Sequence, residues 1–305
     1  TSRDAWVYGF SKNNVIQKTK KLIDNYNREL DRLKNIPSDA RKDSLNRSDN
    51  YVNWSFRLEE RIKQGREIEF NNQRVILTMY RPFTKKWLYY EDSVIERTRL
   101  YYKKFGSNNI VILTTGRGVG RDFSALVSKL IPNQHTMDTG QGFMRYDNEE
   151  YNSLLEFSKD NMNQSFSDEL GLSLDDTFAY VYGLLNSREY QEKYANDLKK
   201  DLARIPIVKN IEKYVEIGKE LMDIHLNYEE VPLYEDVDVN ISKNPSYKVT
   251  KMKFAKKRDE NGKSVNDLST IIFNNDITIS NIPEKSYEYV VNGRSAIEWI
   301  IDQYQ

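Results

Sequence analysis

The chain contains no cysteine. That excludes a disulfide framework and thiolate chemistry, and it fits a reducing cytosol. Histidine is almost as scarce. His135 and His225 stand far apart in a chain of 305 residues, and a zinc site takes about four ligands, so both are expected to be structural. No apolar run reaches the roughly 20 residues that cross a bilayer, and mean hydropathy is −0.76; no membrane partner is expected. Disorder is excluded by the opposite observation, since 21 tyrosines and 12% aromatic residues supply rings for a core. The chain opens Thr1-Ser2-Arg3-Asp4 with neither Met nor a signal-like pattern, which reads as a piece of something larger.

Several nucleotide and methyl-donor signatures are missing too. There is no Walker A string, so no ATPase motor is expected in this piece. Asn244-Pro245-Ser246-Tyr247 lacks the second proline of the Asn/Asp-Pro-Pro-Tyr motif of amino-methyltransferases, and no glycine-rich methyl-donor site precedes it; it reads as a turn into a strand. No cofactor is expected in the chain.

What is present is charge, unevenly distributed. Residues 1–130 hold 26 Lys/Arg against 15 Asp/Glu, a net of +11, and residues 131–305 hold 20 against 31, a net of −11. Such asymmetry suggests a polyanion partner for the basic part. There, cations alternate with rings: Arg81-Pro82-Phe83-Thr84-Lys85-Lys86-Trp87-Leu88-Tyr89-Tyr90, then Arg97, Arg99, Tyr101, Tyr102, Lys103 and Lys104. Cations engage phosphates, and rings stack on bases. The alternative is a solvated cationic face over an aromatic core.

The periodicity predicts a mixed α+β fold. Residues 12–34 read as an amphipathic helix with Val15, Leu22, Tyr26 and Leu33 in one stripe, and 55–64 as a short helix. Val75–Tyr80 and Trp87–Tyr90 read as strands around an Arg81-Pro82-Phe83 bend, and Asn109–Thr115 as a buried strand. The turn Gly116-Arg117-Gly118-Val119-Gly120-Arg121-Asp122 precedes a helix-like stretch, Phe123–Leu130. Strand, glycine turn and helix could frame an anion at a helix N-terminus, could offer Arg117 and Arg121 to a polyanion, or could be a structural turn. Asp175–Leu185, Tyr190–Leu202 and Ile211–Tyr228 read as helices, with Asn186 and Glu189 as a capping-box-like start to the second. Tyr247–Phe254, Thr270–Ile272 and Ile277–Ile279 read as strands, Asp259–Lys263 as a hairpin turn, and Ser295–Tyr304 as a final helix. The expected sub-regions are a basic α/β part at 1–150, a helical part at 151–230 and a strand-rich part with a terminal helix at 231–305.

Several strings, in order, carry a resemblance. They are Thr1–Tyr8; Tyr80–Tyr90; Gly116-Arg117-Gly118; Phe123–Leu126; Asp176-Thr177-Phe178-Ala179-Tyr180-Val181-Tyr182-Gly183; Tyr194–Lys200; Leu202–Pro206; Asn227-Tyr228-Glu229; Gly293–Trp299; and Asp302-Gln303-Tyr304. The series resembles the C-terminal target recognition region of Type ISP restriction–modification enzymes and related helicase–methyltransferase proteins, along nearly the whole chain. Two strings depart from the family pattern, Val119–Asp122 and the Met144-Arg145 pair within Gln141–Asp147. The resemblance implies a bacterial, cytoplasmic domain for phage defence that reads double-stranded DNA without catalysis of its own. The parent would carry nuclease, helicase-like ATPase and adenine-N6 methyltransferase domains as neighbours, using ATP, Mg2+ and S-adenosylmethionine. The candidate DNA-binding residues are Arg81, Lys85, Lys86, Arg97, Arg99, Arg117, Arg121 and Arg145. Two other roles remain open at this point: a part of the methyltransferase active site or flipped-base pocket, and a docking module between helicase and methyltransferase.

Overall fold

The computed structural model describes residues 3–48, 50–95, 104–106, 108–149 and 157–304. The fold is mixed α+β, as expected. It divides into two compact units that do not follow the sequence-based sub-regions. The first comprises residues 1–79, 85–107 and 147–159; the second comprises 80–84, 108–146 and 160–305. This division also changes the charge picture. The first unit holds 23 Lys/Arg against 18 Asp/Glu, a net of +5, and the second the complementary −5. The chain returns to the first unit with an acidic stretch, Asp147–Glu156, which cancels much of the basic excess.

The first unit is organised by a long helix. After the short α1 (Asp4–Val7) and β1 (Tyr8–Gly9), Ser11 caps α2 (Lys12–Leu33) through a bond from Asn14 N. Its stripe packs as the periodicity requires: Val15, Leu22, Ile23, Tyr26, Leu30 and Leu33 are buried with Leu58 and Ile62 of α3 (Phe56–Lys63). Glu29 lies in this core. It pairs with Arg32 at 2.6 Å and accepts from Asn46 N at 2.6 Å, which anchors the polar loop after α2. The strands β1, β3 (Thr84–Tyr89) and β2 (Val75–Arg81) lie side by side in that order. Tyr8 opposes Leu88 and Gly9 opposes Trp87.

In the second unit, β4 (Val111–Thr114) is fully buried between antiparallel β5 (Ala125–Ser128) and β7 (Gln141–Met144). Short β6 (Ile131–Pro132) precedes β7, and β8 (Tyr146–Glu149) pairs with β9 (Phe157–Asp160) where the chain crosses to the first unit and back. The helix expected at Phe123–Leu130 is a strand. All four residues of β5 are buried, and a fully buried strand shows no alternation to separate it from a helix segment.

The helical section holds α4 (Gln164–Leu170), α5 (Leu174–Leu185), α6 (Arg188–Lys193), α7 (Ala195–Leu198) and α8 (Ile211–Leu226). The stretch expected to be one helix from Tyr190 to Leu202 breaks at Tyr194, and Ser187 rather than Asn186 caps its start. Helices α5 and α8 cross at glycines. A Cβ on Gly183 would overlap the Tyr214 carbonyl, and one on Gly218 would overlap the Ala179 carbonyl.

The C-terminal part is a four-stranded sheet in the order β10 (Asp238–Ile241), β13 (Ile277–Ser280), β12 (Ser264–Ile272), β11 (Lys253–Arg258). Residues 247–252, expected to begin a strand, precede β11 outside it. A small hairpin, β14 (Val290–Val291) and β15 (Arg294–Ser295), turns at Asn292-Gly293, both with positive φ, as a tight Asn-Gly turn requires. Ser295 and Glu298 form a capping box on α9 (Ala296–Gln303), which packs on the sheet through Met252, Ile271, Ile282 and Ile301. Among the described residues no helix is long and apolar enough to cross a membrane.

Candidate nucleic-acid interface

The cation–aromatic stretch proves to be largely scaffold. Tyr89 is buried and stacked on Phe70 at 5.2 Å. Phe83 is buried at φ 55° and meets His225, Tyr228 and Tyr289 edge-on at 5.6–6.3 Å. Arg81 lies over the Tyr80 ring and donates to the Tyr80 carbonyl at 2.7 Å and to Asn133 Oδ1 at 3.2 Å. Lys86 lies 4.7 Å over the Phe10 ring, and Lys85 is half-buried beside it in β3. Tyr89 and Phe83 are committed to packing and are not platforms for bases, whereas Phe10 under Lys86 is 46% exposed. Arg97 and Arg99 lie outside the described residues.

Several other cations of the first unit are paired: Arg47 with Glu59, Lys63 with Asp39, Arg74 with Glu91, and Lys104 with Asp147. Exposed pairs like these contribute little stability, but each carboxylate offsets the charge its partner would offer a phosphate.

The glycine turn is not an open anion cradle. No helix follows it, and its amides are used: Gly116 N donates to Asp138 O at 3.0 Å and Gly118 N to Lys199 O at 2.9 Å. A Cβ at Gly116 would run into the Thr139 backbone. The two arginines differ. Arg117 is exposed and makes no hydrogen bond or ion pair among the described residues. Arg121 donates to the Asn292 carbonyl at 2.6 Å and faces Asp138 at 3.5 Å. Asn292 is itself buried and receives Asp138 N on its side chain, while its own amide donates to Ser124 Oγ at 2.8 Å.

Arg145 is the clearest departure from the expected site. Its guanidinium is 4% exposed. It pairs with Asp160 and with Asp175, the latter at 2.9 and 3.1 Å. Burial works against its charge, and the two carboxylates more than offset that, so its pKa lies above the ordinary value. A side chain so enclosed does not reach a phosphate; Arg145 holds β7 and β8 to the start of α5.

His225, read from the sequence as structural, is buried. It shares a 2.5 Å hydrogen bond with Tyr182 and lies 5.2 Å from the Tyr289 ring. Desolvation lowers its pKa to about 4, so it is neutral at pH 7. No cluster of metal-ligating side chains occurs among the described residues.

A second cationic feature lies in the half read as acidic. Beyond a break in register at Phe254/Ala255, β11 and β12 continue as a two-stranded ribbon, with Ala255 opposite Asp267, Lys256 opposite Asn266, Lys257 opposite Val265 and Arg258 opposite Ser264. Residues 255–267 include no buried residue. Segment 251–263 carries six Lys/Arg and two acids. The sequence held this signal, but averaging over residues 131–305 concealed it.

The fold is shared with solved relatives. The model of the family described as the Type ISP C-terminal specificity domain matches residues 1–305. The chain belongs to that family. The Type ISP restriction–modification enzyme LlaGI, solved as a nuclease-deletion mutant in complex with a DNA substrate mimic, is 43% identical with a TM-score of 0.86; the match covers 99% of this chain and 28% of that one. The ATP-dependent Type ISP enzyme LlaBIII, solved bound to DNA, is 38% identical with a TM-score of 0.84, covering 99% of this chain and 19% of that one. A DrdV–DNA complex shares the fold, with a TM-score of 0.83 at 21% identity, over 99% of this chain and 30% of that one. The chain thus spans less than a third of the length of each. No curated protein sequence matches it. Several strings that carry the resemblance are scaffold in this Type ISP specificity domain. Asp176–Gly183 forms the buried face of α5 and its glycine crossing, and Gly293–Trp299 forms the β14–β15 turn, the capping box and Trp299, whose Nε1 donates to Val291 O at 2.8 Å.

Proposed function

We propose that this specificity domain reads a sequence in double-stranded DNA and so directs the adenine-N6 methylation and the translocation or cleavage of a restriction–modification enzyme. The observation that carries this reading is the family match over the entire chain, joined to two relatives above 35% identity solved with DNA or a DNA mimic. The chain itself is non-enzymatic in this reading. ATP, Mg2+ and S-adenosylmethionine serve the nuclease, helicase-like and methyltransferase domains of a cytoplasmic bacterial parent, and those domains are its protein partners.

The test is selection of the 305-residue chain against 40-base-pair duplexes with randomised centres, followed by sequencing. One enriched sequence, with affinity that falls as salt rises, is expected. Recovery of the pool unchanged would overturn the reading. Methyl transfer by the isolated chain would place part of the methyltransferase site here instead.

A further inference from the structure

The β11–β12 ribbon has no core of its own. An isolated two-stranded hairpin is marginally stable in water, yet this one carries cations where natural ribbons gain from apolar cross-strand pairs. Its root is firm. Ile271 is buried and Phe254 packs beside Met252 in the sheet–α9 cluster. At the break, Leu268, Ser269 and Thr270 have no partners in the β11 register, and Asp267 ties the bend by accepting from Ser269 N at 3.1 Å and Ser269 Oγ at 2.8 Å. Such a bulge re-aims the strands beyond it.

Two of the ribbon's three acids are engaged within it, while Glu260 is exposed at the tip beside four exposed cations. Asp259 accepts from the amides of Asn261 and Lys263 at 3.0 and 2.8 Å and so closes the tip. Asp267 holds the bend and faces Lys257 at 3.6 Å. The cations Lys256, Lys257, Arg258 and Lys263 are exposed. Opposed residues share a face, and alternate residues return to it. One face therefore presents Lys256, Asn266, Arg258 and Ser264. Lys256 Nζ donates to Asn266 Oδ1 at 2.7 Å. Lys and Arg match the N7 and O6 edge of guanine, and Asn matches the edge of adenine. At ~3.4 Å per residue the four pairs and the tip extend about 15 Å, beyond the ~8.5 Å depth of a major groove, which admits a two-stranded ribbon.

We infer that the 255–267 ribbon enters the major groove and that its Lys256–Arg258–Asn266 face reads base edges. This rests on the DNA-reading function proposed above and names the element that performs it. The partner is duplex DNA because the outward charge is positive, the side chains are base-edge donors, and no apolar residue larger than Val faces out between Ala255 and Asp267 to suit a protein surface.

The test repeats the duplex selection with Lys256→Gln/Arg258→Gln and, for the opposite face, Lys257→Gln. The double variant is expected to lose preference at one or two adjacent base pairs by about tenfold or more, with the remainder of the enriched sequence kept. Lys257→Gln should keep the whole sequence. Exposed substitutions leave stability nearly unchanged. Arg258 also donates to the Gly262 carbonyl at the tip, so if the double variant melts early, Lys256→Gln alone carries the test. A variant that enriches the wild-type sequence with the same preference at every position overturns the inference, even if its affinity falls, and leaves the DNA-reading function standing. Failure of the wild-type chain to select any sequence overturns both.

Discussion

Arg121 donates to the backbone carbonyl of Asn292 across 2.6 Å, joining two turns 171 residues apart. The bond fixes a tight Asn-Gly turn whose other polar atoms are held by Ser124 and Asp138. Arg121→Ala is therefore expected to act on stability. The side chain is 42% exposed, so the loss is discounted to about 1 kcal/mol, or about 2–4 °C in melting temperature. A melting curve that matches the wild type would remove the strut role.

For Arg145→Ala the expected loss is larger, about 2 kcal/mol, because a buried guanidinium is removed from two carboxylates. It stays below the 3–5 kcal/mol of a fully buried pair, since Asp175 is 77% exposed and Asp160 retains a bond from Met162 N. The slope of log affinity against log salt should not change. A lower slope with an unaltered melt would return Arg145 to the DNA-contacting residues.

Gly218→Ala sets two effects against each other. Alanine improves helix propensity by about 1 kcal/mol. The new methyl overlaps the Ala179 carbonyl where α5 and α8 cross, and overpacking costs about 1–3 kcal/mol. The clash wins because its target is backbone, which cannot rotate aside. Urea denaturation should show a net loss of up to about 2 kcal/mol; a gain would mean the helices separate freely.

The α2 stripe was legible because one face of a long surface helix must repeat near 3.6 residues, and Leu22, Tyr26 and Leu33 do. Strand β5 was not, because burial on both faces removes the alternation. The enclosure of Arg145 was not legible, because one chain of letters does not show that Asp160 and Asp175 close over it. The halves at +11 and −11 overstated the asymmetry, since the fold returns the net-acidic residues 147–159 to the first unit and gives Arg81, Arg117, Arg121 and Lys129 to the second. The same averaging hid Lys253–Arg258 within acidic surroundings. Arg117 and Arg121 looked equivalent in sequence; only the partner at Asn292 separates them.

His225 gives the domain an acid-sensitive buried group. Its pKa is about 4 in the fold, against an ordinary 6.5, through desolvation. Between those values the unfolded chain binds a proton that the folded chain does not. Its contribution is thus complete above pH 6.5 and lost as pH falls toward 4, a total of about 3 kcal/mol at 1.36 kcal/mol per unit. Carboxylates also titrate in this range, so the measure is the difference between wild type and His225→Gln. The variant's stability should be lower at pH 7.5 and the gap should close by pH 4.5. A gap independent of pH would mean that the imidazole is already solvated.

Arg117 supplies the contrast with Arg121. It is exposed at the glycine turn with no partner among the described residues, so no intramolecular bond is lost when it is removed, and Arg117→Ala should melt within about 0.5 kcal/mol of wild type. If the turn lies along a phosphate strand, that contact releases counterions, and its removal lowers the salt slope by about one while weakening all duplexes alike. The selected sequence should be unchanged, because phosphate contacts position and base contacts specify. Titrating one duplex at four salt concentrations, beside Arg121→Ala, measures both quantities. An unchanged slope would mean that the turn stands clear of the DNA and would remove Arg117 from the candidate phosphate contacts.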